Sequence, residues 1–412
     1  MTAQIKLKHS GGNGVIIEAP ASNPASDKTI TLPSDETGVF ATKDSNDSLQ
    51  NITGINGGQL SNRNLVINGD MQVAQRGTSS TSNGYQTVDR YNMNSSGHDE
   101  APTQAQADVA SGTTPYTLGF RKSLKITNGN QTSGAGGADR LRILYIIEAQ
   151  DIAKSGWNYT DSNSKITLSF WIKSSVSQNF YFRATTSDGT SQNFPMETGS
   201  LTADTWTKIT KTISGNANLT FNNDNGIGLY IIFSLFRGTD NTDSGVALNT
   251  WAATSSGTTL YPDNTSTWWT TNDSTWELTG LQLEVGDSAT DFEHRSYADE
   301  IIKCERYYRR DKADGVVYYR FAQGQCTSST GTQYVVKWPT RMRAAPSYAV
   351  SGTITIYSTN IQYSSSSHSL LDQTTQGGIL TCSAPSGLGS GNCADLIASG
   401  DGNAYVEYIA EL

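Results

Sequence analysis

Aromatic residues stand among short polar ones in two parts of this sequence. Five of them are candidates: four fall within residues 250–276, a stretch rich in Asn, Asp and Thr, and one follows Phe170. They are Trp171, Trp251, Tyr261, Trp268 and Trp269. A flat ring can stack on the apolar face of a sugar while nearby amides, carboxylates and hydroxyls bind its rim. We therefore treat the five as candidate glycan-stacking residues. Large aromatic side chains are usually mostly buried, so a role in the core remains the alternative.

The adjacent residues Trp268 and Trp269 carry a more specific expectation. Successive side chains of a β-strand point to opposite faces of the sheet. If this segment is a strand, one of the two rings is buried and the other is exposed. The exposed ring is then the candidate for stacking on a sugar.

The sequence does not show a motif that would indicate a catalytic nucleophile. The four histidines (His9, His98, His294 and His368) have no cysteine or serine motif beside them, and no G-x-S-x-G elbow occurs. The glycine-rich run at residues 387–391 lacks the strand–turn–helix context of a nucleotide-binding loop. We expect a protein that is not an enzyme and that has no cofactor.

Carboxylates near the end of one strand leave a second interpretation open. The acids concerned are Glu277, Glu284, Asp287, Asp291 and Glu293. Two acids held about 5–10 Å apart can hydrolyse a glycosidic bond. Surface acids on a solvated loop are the default interpretation, and the long repeated rungs of a β-helical depolymerase do not occur. Polysaccharide hydrolysis is therefore the less favoured hypothesis.

The cysteines do not predict a metal site. Cys304, Cys326, Cys382 and Cys393 are widely scattered, without the spacing of zinc ligands. Cys382 and Cys393 could pair in an oxidising medium. Reduced, partly buried thiols are the favoured interpretation.

Composition and charge exclude several classes of partner. Only 16% of the 412 residues are charged, the net charge is −9, and no basic run occurs, so nucleic-acid binding is not expected. No stretch approaches the roughly 20 apolar residues of a membrane helix. The start, MTAQIKLKHS, lacks the apolar segment of a signal peptide. The 19 Tyr, 11 Phe and 8 Trp imply buried surface and argue against disorder.

Alternation of apolar and polar residues predicts an all-β body over residues 61–295. Its clearest alternation places apolar side chains at every second position: Ile166, Leu168, Phe170 and Ile172. Residues 227–236 are apolar almost throughout, as expected of a central strand covered on both faces. Some eight to ten strands without a long helical pattern favour a jelly-roll β-sandwich.

A change of parity interrupts the strand that would close this body. Leu281 and Leu283 have the opposite parity to Trp276 and Leu278, and Gly280 stands between the two pairs. One extra residue in a strand produces such a change. We therefore predict a β-bulge at Gly280.

The flanks of the body differ from it. Residues 1–60 contain too few apolar side chains for a core of their own and are expected to share one with identical chains or a docking partner; a disordered leader is the alternative. Apolar spacing at Tyr297, Ile301, Cys304 and Tyr308 predicts a short connector helix over residues 296–310. Residues 311–412 read as a second, β-sandwich-like region forming a tip.

Several segments resemble elements of bacteriophage tail-fibre proteins. NLVINGDM (residues 64–71) and TGLQLEVGDSATDFEH (residues 279–294) are similar to the opening and closing strands of the jelly roll in carbohydrate-binding modules and phage fibres. Residues 16–42 resemble a repeated element near the start of tail-fibre proteins, in the part attached to the virion. The resemblance covers nearly the full length of the chain.

Three C-terminal segments resemble such fibres as well. They are CERYYRR (residues 304–310), KWPTRMRAAPSY (residues 337–348) and AYVEYIAEL (residues 404–412). Each motif alone is weak, but their order in one chain is hard to obtain by chance. Arg341 and Arg343 belong to the second motif and are expected to be structural, with contact to anionic lipopolysaccharide as the alternative.

The resemblance implies a podovirus tail fibre, similar to those of cyanophages, with a carbohydrate-binding-module-like body. Such a protein is a homotrimeric fibre of the virion, made in the host cytoplasm. Residues 1–60 would attach it to a tail adaptor or nozzle protein. Its distal part would bind a host-surface glycan or lipopolysaccharide. A head fibre or capsid-decoration protein without receptor binding is the alternative.

Related jelly rolls hold a structural calcium close to their first strand. Asn68, Gly69 and Asp70 match the first part of that site. Thr279 and Gly280 stand where the resemblance implies an aspartate pair. Because of this departure, no metal site is predicted.

Overall fold

The computed structural model describes residues 62–254, 260–265 and 267–412, together with four short strands that precede them. These strands are Gln4–Lys8 (β1), Gly14–Glu18 (β2), Thr42–Lys43 (β3) and Leu49–Gln50 (β4). The chain divides into two compact units, Met1–Ile52 and Thr53–Leu412. In the first unit β1 pairs with β2 and β3 with β4, both antiparallel. The remainder of the predicted attachment segment, 1–60, lies outside the described residues.

Twelve strands of the second unit form a β-sandwich. In chain order they are Ser79–Ser80 (β5), Tyr91–Ser96 (β6), Thr103–Asp108 (β7), Lys122–Thr127 (β8), Arg140–Glu148 (β9), Lys165–Ser174 (β10), Asn179–Thr186 (β11), Gln192–Ser200 (β12), Thr207–Ser214 (β13), Ile227–Arg237 (β14), Ala252–Ala253 (β15) and Thr275–Val285 (β16). The first sheet has the order β13-β10-β16-β8-β7-β5 and the second β15-β12-β11-β14-β9-β6. The prediction of an all-β, jelly-roll-like sandwich is confirmed.

Helices are short and few in the described part of the chain. They are Thr114–Thr117 (α1), Ala149–Ala153 (α2), Thr267–Thr270 (α3) and Tyr297–Glu305 (α4), with one 3₁₀ turn at Thr239–Asn241. None of these helices is both long and apolar enough to cross a membrane.

Aromatic side chains from both sheets meet in the core of the sandwich. Phe170 of β10 contacts Phe182 of β11 and Phe233 of β14 edge to face, each at 5.1 Å between ring centroids. Trp276 of β16 lies 5.7 Å from Phe233. Edge-to-face rings add to the free energy gained by burying them, so this cluster joins the two sheets at their centre.

The predicted bulge at Gly280 is confirmed. The register of β10 against β16 shifts between Ser169 and Trp171, and Gly280 has φ +63°. Leu278 and Leu281 are both fully buried, although three positions separate them. Glycine tolerates this left-handed conformation because it lacks a Cβ atom. The bulge therefore returns the apolar residues of β16 to the core side.

Residues 64–71 do not form the regular opening strand that the sequence predicts. The segment lies along β16, with Leu65 N donating to Leu283 O at 2.9 Å, but no ladder continues from it. Asn64 Oδ1 accepts from Val66 N within the segment itself, and Asn68 has φ +58°. Local side-chain bonds and left-handed backbone compete with strand pairing, which explains the difference.

The C-terminal β region contains two further sheets. Its strands are Tyr308–Lys312 (β17), Arg320–Cys326 (β18), Gly331–Lys337 (β19), Ser347–Ser351 (β20), Ile354–Ser358 (β21), Ile361–Ser364 (β22), Ser367–Leu371 (β23), Gly377–Ser383 (β24), Cys393–Ala398 (β25) and Tyr405–Ile409 (β26). One sheet has the order β17-β26-β20 and the other β22-β21-β25-β18-β19-β24-β23. Tyr308, predicted as the last residue of the helical seam, begins β17 instead, because it pairs with Ile409 of β26.

A charged and aromatic junction joins the sandwich to the C-terminal region. Glu411 accepts from Arg90 at 2.6 Å and from Arg76 at 3.2 Å, and both arginines belong to the sandwich. The Arg90 guanidinium lies 3.4 Å from the ring centre of Tyr307, and that of Arg76 lies 3.3 Å from the ring centre of Tyr308. Arg90 is 1% exposed and Glu411 7% exposed, so the pair is shielded from water.

A second carboxylate strengthens the same junction. Glu148 of β9 is fully buried and accepts two bonds of 2.7 Å from Arg306 and one of 2.6 Å from the Tyr307 hydroxyl. Arg343 donates to the carbonyls of Asn225, Ala410 and Glu411 at 2.7–2.9 Å. The three C-terminal motifs that carry the resemblance thus meet at this junction.

Replacing Glu411 by Gln should destabilise the protein strongly. The change leaves the Arg90 charge buried without an anion, which typically costs about 3–5 kcal/mol. Urea denaturation followed by tryptophan fluorescence measures the loss. The control is Asp108→Asn at the exposed Lys122–Asp108 pair, where we expect about 1 kcal/mol or less. Equal stability of the two variants would contradict the role given to Glu411.

Candidate functional site

Three of the five candidate aromatic residues belong to the interior. Tyr261 and Trp268 are 0% exposed and Trp269 is 1% exposed. Trp251 is half-buried, packs on Phe194 with 5.1 Å between centroids, and donates its indole N–H to Ser214 O. Four of the five are therefore packing residues in this structure. Trp171 lines a cavity.

The expectation that one ring of the Trp268–Trp269 pair is exposed is wrong. The segment is the helix α3, not a strand, and both rings point inward. Trp269 stacks on Phe236 at 4.9 Å and Trp268 donates its indole N–H to Thr275 O at 3.0 Å. Asn128 Nδ2 donates to Trp269 O at 2.6 Å and holds the helix against the sheet. Contacts with residues distant in the chain determine this helical conformation. A helix of four residues is too short to show a helical spacing of apolar residues in the sequence.

Trp171 lines a cavity of about 220 Å³ on the outer face of the first sheet, which we call the aromatic pocket. Its walls are Leu118, Phe120, Trp171, Phe292 and His294, and its polar lining is Ser169, Lys208, Thr290 and Asp291. Phe120 and Phe292 lie 4.9 Å apart, and His294 lies 4.9 Å from Phe292 and 5.2 Å from Phe120. Rings and hydroxyl-binding groups thus converge on one small space.

The polypeptide after β16 closes one side of the aromatic pocket. Thr167 Oγ1 donates to Gly286 O at 2.8 Å, and Thr290 donates through its N–H and hydroxyl to Glu284. These bonds hold residues 286–294 over the outer face of the sheet. His294 donates its Nε2 proton to Leu118 O at 2.9 Å, since a carbonyl can only accept. In the neutral ring Nδ1 then remains an acceptor.

Gly280 forms the floor of the aromatic pocket. A Cβ atom at this position would lie 2.7 Å from Phe120 Cζ and 3.2 Å from Trp171 Cδ1. The bulge therefore brings the backbone against both rings. The same residue that returns the strand to its core side also allows Phe120 and Trp171 to approach each other.

Sequence reasoning found Trp171 but missed its neighbours. Phe120, Phe292 and His294 are distant from Trp171 in the chain and share no local pattern with it. Trp206 is a further half-buried aromatic residue on this face, with Lys173 Nζ 5.2 Å above its ring. Only the strand register, which places Trp171 opposite Lys208, brings these residues together.

The acids considered for hydrolysis have structural partners. Glu277 accepts from Lys173 at 2.9 Å and from Ser123 at 3.1 Å, and Glu293 accepts from Asn64 N and Arg295, each at 3.0 Å. Only Asp291 among the five lines the aromatic pocket. Among the described residues, the aromatic pocket is thus lined by one of these five carboxylates, whereas glycoside hydrolysis uses two.

One histidine does lie beside a thiol, contrary to the sequence analysis. His368 contacts Cys382 Sγ through Nδ1 at 3.2 Å and Ser365 Oγ through Nε2 at 2.9 Å, across the β23–β24 hairpin. Burial raises the pKa of Cys382 to about 12 and lowers the pKa of His368. The thiol is 2% exposed and stays protonated at neutral pH, so it lacks the properties of a nucleophile. Cys382 and Cys393 are both free thiols.

In the Asn68–Gly69–Asp70 turn, the side chain of Asn68 forms hydrogen bonds with backbone atoms of the protein. Asn68 Oδ1 accepts from Val73 N at 2.9 Å, and its Nδ2 donates to Val73 O and Asp89 O. Burial, followed by repulsion from Glu300, raises the pKa of Asp70 to about 6. Within residues 62–254, 260–265 and 267–412 no group of three or more His, Cys, Asp or Glu is arranged to hold a metal ion.

Comparison with known proteins gives similarity in structure only. No family model matches the sequence, and no curated protein matches it either. Similar solved structures include the enzymatically active domain of tailspike protein 4 of bacteriophage CBA120 (11% identity, 54% of this chain, 21% of that chain, TM-score 0.30). Another is a CBM22 xylan-binding domain from Paenibacillus barcinonensis (11% identity, 52% of this chain, 94% of that chain, TM-score 0.24). A third is a cellulose-binding domain from Cellulomonas fimi (9% identity, 53% of this chain, 99% of that chain, TM-score 0.26). These TM-scores are too low for the similarities to show any property of this chain.

Gly280→Ala should destabilise the protein and distort the aromatic pocket. The new Cβ atom meets Phe120 and the residue keeps φ +63°, which together typically cost about 2–4 kcal/mol. Gly156→Ala is the matched control, because Gly156 has φ +89° and nothing within 4 Å of a Cβ atom. Denaturation curves separate the steric part from the backbone part. Equal losses in the two variants would show that the floor of the pocket is not closely packed.

Asp70 should make the free energy of unfolding depend on pH. Its pKa of about 6 in the folded protein exceeds the ordinary 3.8, so the folded state binds the proton more tightly than the unfolded state. The contribution to stability is therefore complete below about pH 4 and is lost as the pH rises through about 6. Unfolding free energies at pH 4 and pH 7 should differ less for Asp70→Asn than for the wild type. An unchanged difference would contradict this assignment, and exposed Asp108→Asn serves as the control.

Proposed function

We propose that this chain is the tail-fibre protein of a podovirus and that it adsorbs to the host surface by binding a glycan in the aromatic pocket. The observation that carries the glycan part is the convergence of Trp171, Phe292 and His294 with Lys208 and Asp291 around one cavity. Rings can stack on the apolar face of a sugar, and the polar groups can bind its hydroxyls. The assignment to a tail fibre is supported by the order of the sequence motifs that resemble such fibres.

The size of the aromatic pocket restricts the ligand. Its volume of about 220 Å³ is below the roughly 300–1,000 Å³ of pockets for drug-sized molecules. The pocket suits a single sugar residue at the end or branch of a surface glycan. Single-site affinity of this kind is about millimolar, and repeated copies in a homotrimeric fibre would raise the avidity by orders of magnitude.

The proposal assigns recognition and not catalysis to the chain. It is supported by the protonated, buried Cys382 thiol and by the structural partners of Glu277 and Glu293. Residues 1–60 would attach the fibre to a tail adaptor or nozzle protein. The sandwich and the C-terminal region would then stand away from the virion.

Trp171→Ala should weaken glycan binding by about tenfold, which corresponds to about 1.4 kcal/mol for a lost stacking ring. Trp171→Phe should retain most of the binding. Soluble oligosaccharides prepared from the surface of a susceptible host serve as ligands in titration calorimetry. The control is Tyr297→Ala, which removes an aromatic side chain that is 60% exposed on α4.

The same proteins, fluorescently labelled, are then tested on intact host cells. Binding by Trp171→Ala equal to that of the wild type would remove the aromatic pocket from the proposal. Absence of binding to every susceptible strain would favour a head fibre or decoration protein. Release of reducing sugar would favour a depolymerase.

A further inference from the structure

Four arginines lie together on the outer face of the second sheet. Arg140 and Arg142 belong to β9, Arg183 to β11 and Arg237 to β14. The register places Arg142 opposite Ser234, and Arg237 opposite Arg140. Arg183 and Arg237 both pack on Tyr261, at 5.2 and 5.0 Å from its ring centre. We call these four residues the arginine cluster.

The arginine cluster is withdrawn from water. Arg183 and Arg237 are each 5% exposed, whereas Arg140 and Arg142 are half-buried and reach the surface. Tyr181 and Tyr230 are half-buried on the same face. The cluster is therefore buried at its base and reaches the surface through Arg140 and Arg142.

In the described part of the chain, none of these four arginines forms an ion pair with an acidic residue; Glu197 of β12, on the same face, accepts from Asn179 instead. Arg183 donates to the Tyr261 hydroxyl at 3.1 Å and to Asn193 Oδ1 at 2.8 Å, and Arg142 donates to Asn94 Oδ1 at 3.1 Å. These acceptors are all neutral. Burial and repulsion from Arg237, Arg140 and Arg183 lower the pKa of Arg142 to about 10. The undescribed residues 255–259 and 266 are Ser, Gly and Thr, and contribute no carboxylate.

Donors within the arginine cluster also lack acceptors. Arg237 Nε and Nη2, Arg140 Nε and Ser234 Oγ are buried without a hydrogen-bond partner among the described residues. Ser234 lies between Arg142 and Tyr181 in the register of the sheet. A buried charge without a partner is costly, and such a charge is normally paired or hydrogen-bonded. Repulsion among several positive charges on one face increases the stabilisation that a bound anion would provide.

We propose that the arginine cluster binds an oxyanion of an external ligand, a carboxylate or a phosphate, at a second site separate from the aromatic pocket. Guanidinium groups present paired N–H donors that match the two oxygens of either anion. Arg142 reaches the surface and lies opposite Ser234, whose hydroxyl is a further donor to the anion. The site suits an acidic or phosphorylated saccharide, and its anion binding does not depend on the proposed function.

Thermal unfolding of the full-length protein tests this site. The probes are sodium phosphate and sodium glucuronate at millimolar concentration, with glucose and sodium chloride at matched ionic strength as controls. At least one of the two anions should raise the Tm of the wild type with saturation. For Arg142→Gln the midpoint of this rise should be at least tenfold weaker. Arg320→Gln, which removes the same charge from the C-terminal region, should keep the wild-type response.

The ligand-free proteins provide a second readout. Without an anion, Arg142→Gln should be as stable as the wild type or more stable, because it relieves repulsion. With the anion, the order of stability should reverse. Ser234→Ala should weaken the response less than Arg142→Gln.

The outcomes separate the two sources of the anion and the two sites. A response to phosphate alone assigns a phosphorylated ligand, and a response to glucuronate alone assigns a uronic acid. Trp171→Ala should leave the response unchanged, so failure of the aromatic pocket does not remove this site. A response that does not saturate, or that is the same in Arg142→Gln and the wild type, is a general salt effect and overturns the proposal. So does a ligand-free Arg142→Gln protein that is clearly less stable than the wild type.

Discussion

The carboxylate of Glu411, held between Arg90 and Arg76, is the contact on which the arrangement of the two β regions depends. A buried ion pair contributes little net stability compared with an apolar contact, but it tolerates almost no displacement, because separation leaves both charges without water. Glu148 imposes the same condition through Arg306 and Tyr307. The sandwich and the C-terminal sheets belong to one compact unit, Thr53–Leu412.

The sandwich presents two chemically different outer faces. The face of the first sheet carries aromatic rings with an exposed lysine and aspartate. The face of the second sheet carries four arginines, none of which forms an ion pair with a carboxylate among the described residues. One face could thus bind the neutral part of a ligand and the other an anionic part. Both rest on the same core, in which Phe170 and Phe233 join the sheets.

The sequence predicts the local features of this fold better than its surfaces. Strict alternation predicts β10, and parity predicts the bulge at Gly280, because both depend only on neighbouring residues. The helical turn at Trp268 and Trp269 is set by Asn128 and Phe236, far away in the chain, and alternation cannot report it. The aromatic pocket and the arginine cluster depend on strand register. Residues such as Phe120 and Phe292 carry no local sign of their proximity.

The bulge at Gly280 has a consequence for how this protein can vary. Trp276 and Leu278 face the core on one side of it, and Leu281 and Leu283 on the other, in opposite phases of the strand. A strand of the same length without the bulge would turn Gln282 and Glu284 inward and two leucines outward. A substitution that straightens the backbone at Gly280 therefore exchanges the two sides of the strand after it, whereas loss of the extra residue together with the bulge keeps Leu281 and Leu283 in the phase of Trp276 and Leu278. Homologous chains should therefore either keep the bulge or be one residue shorter between Trp276 and Leu283.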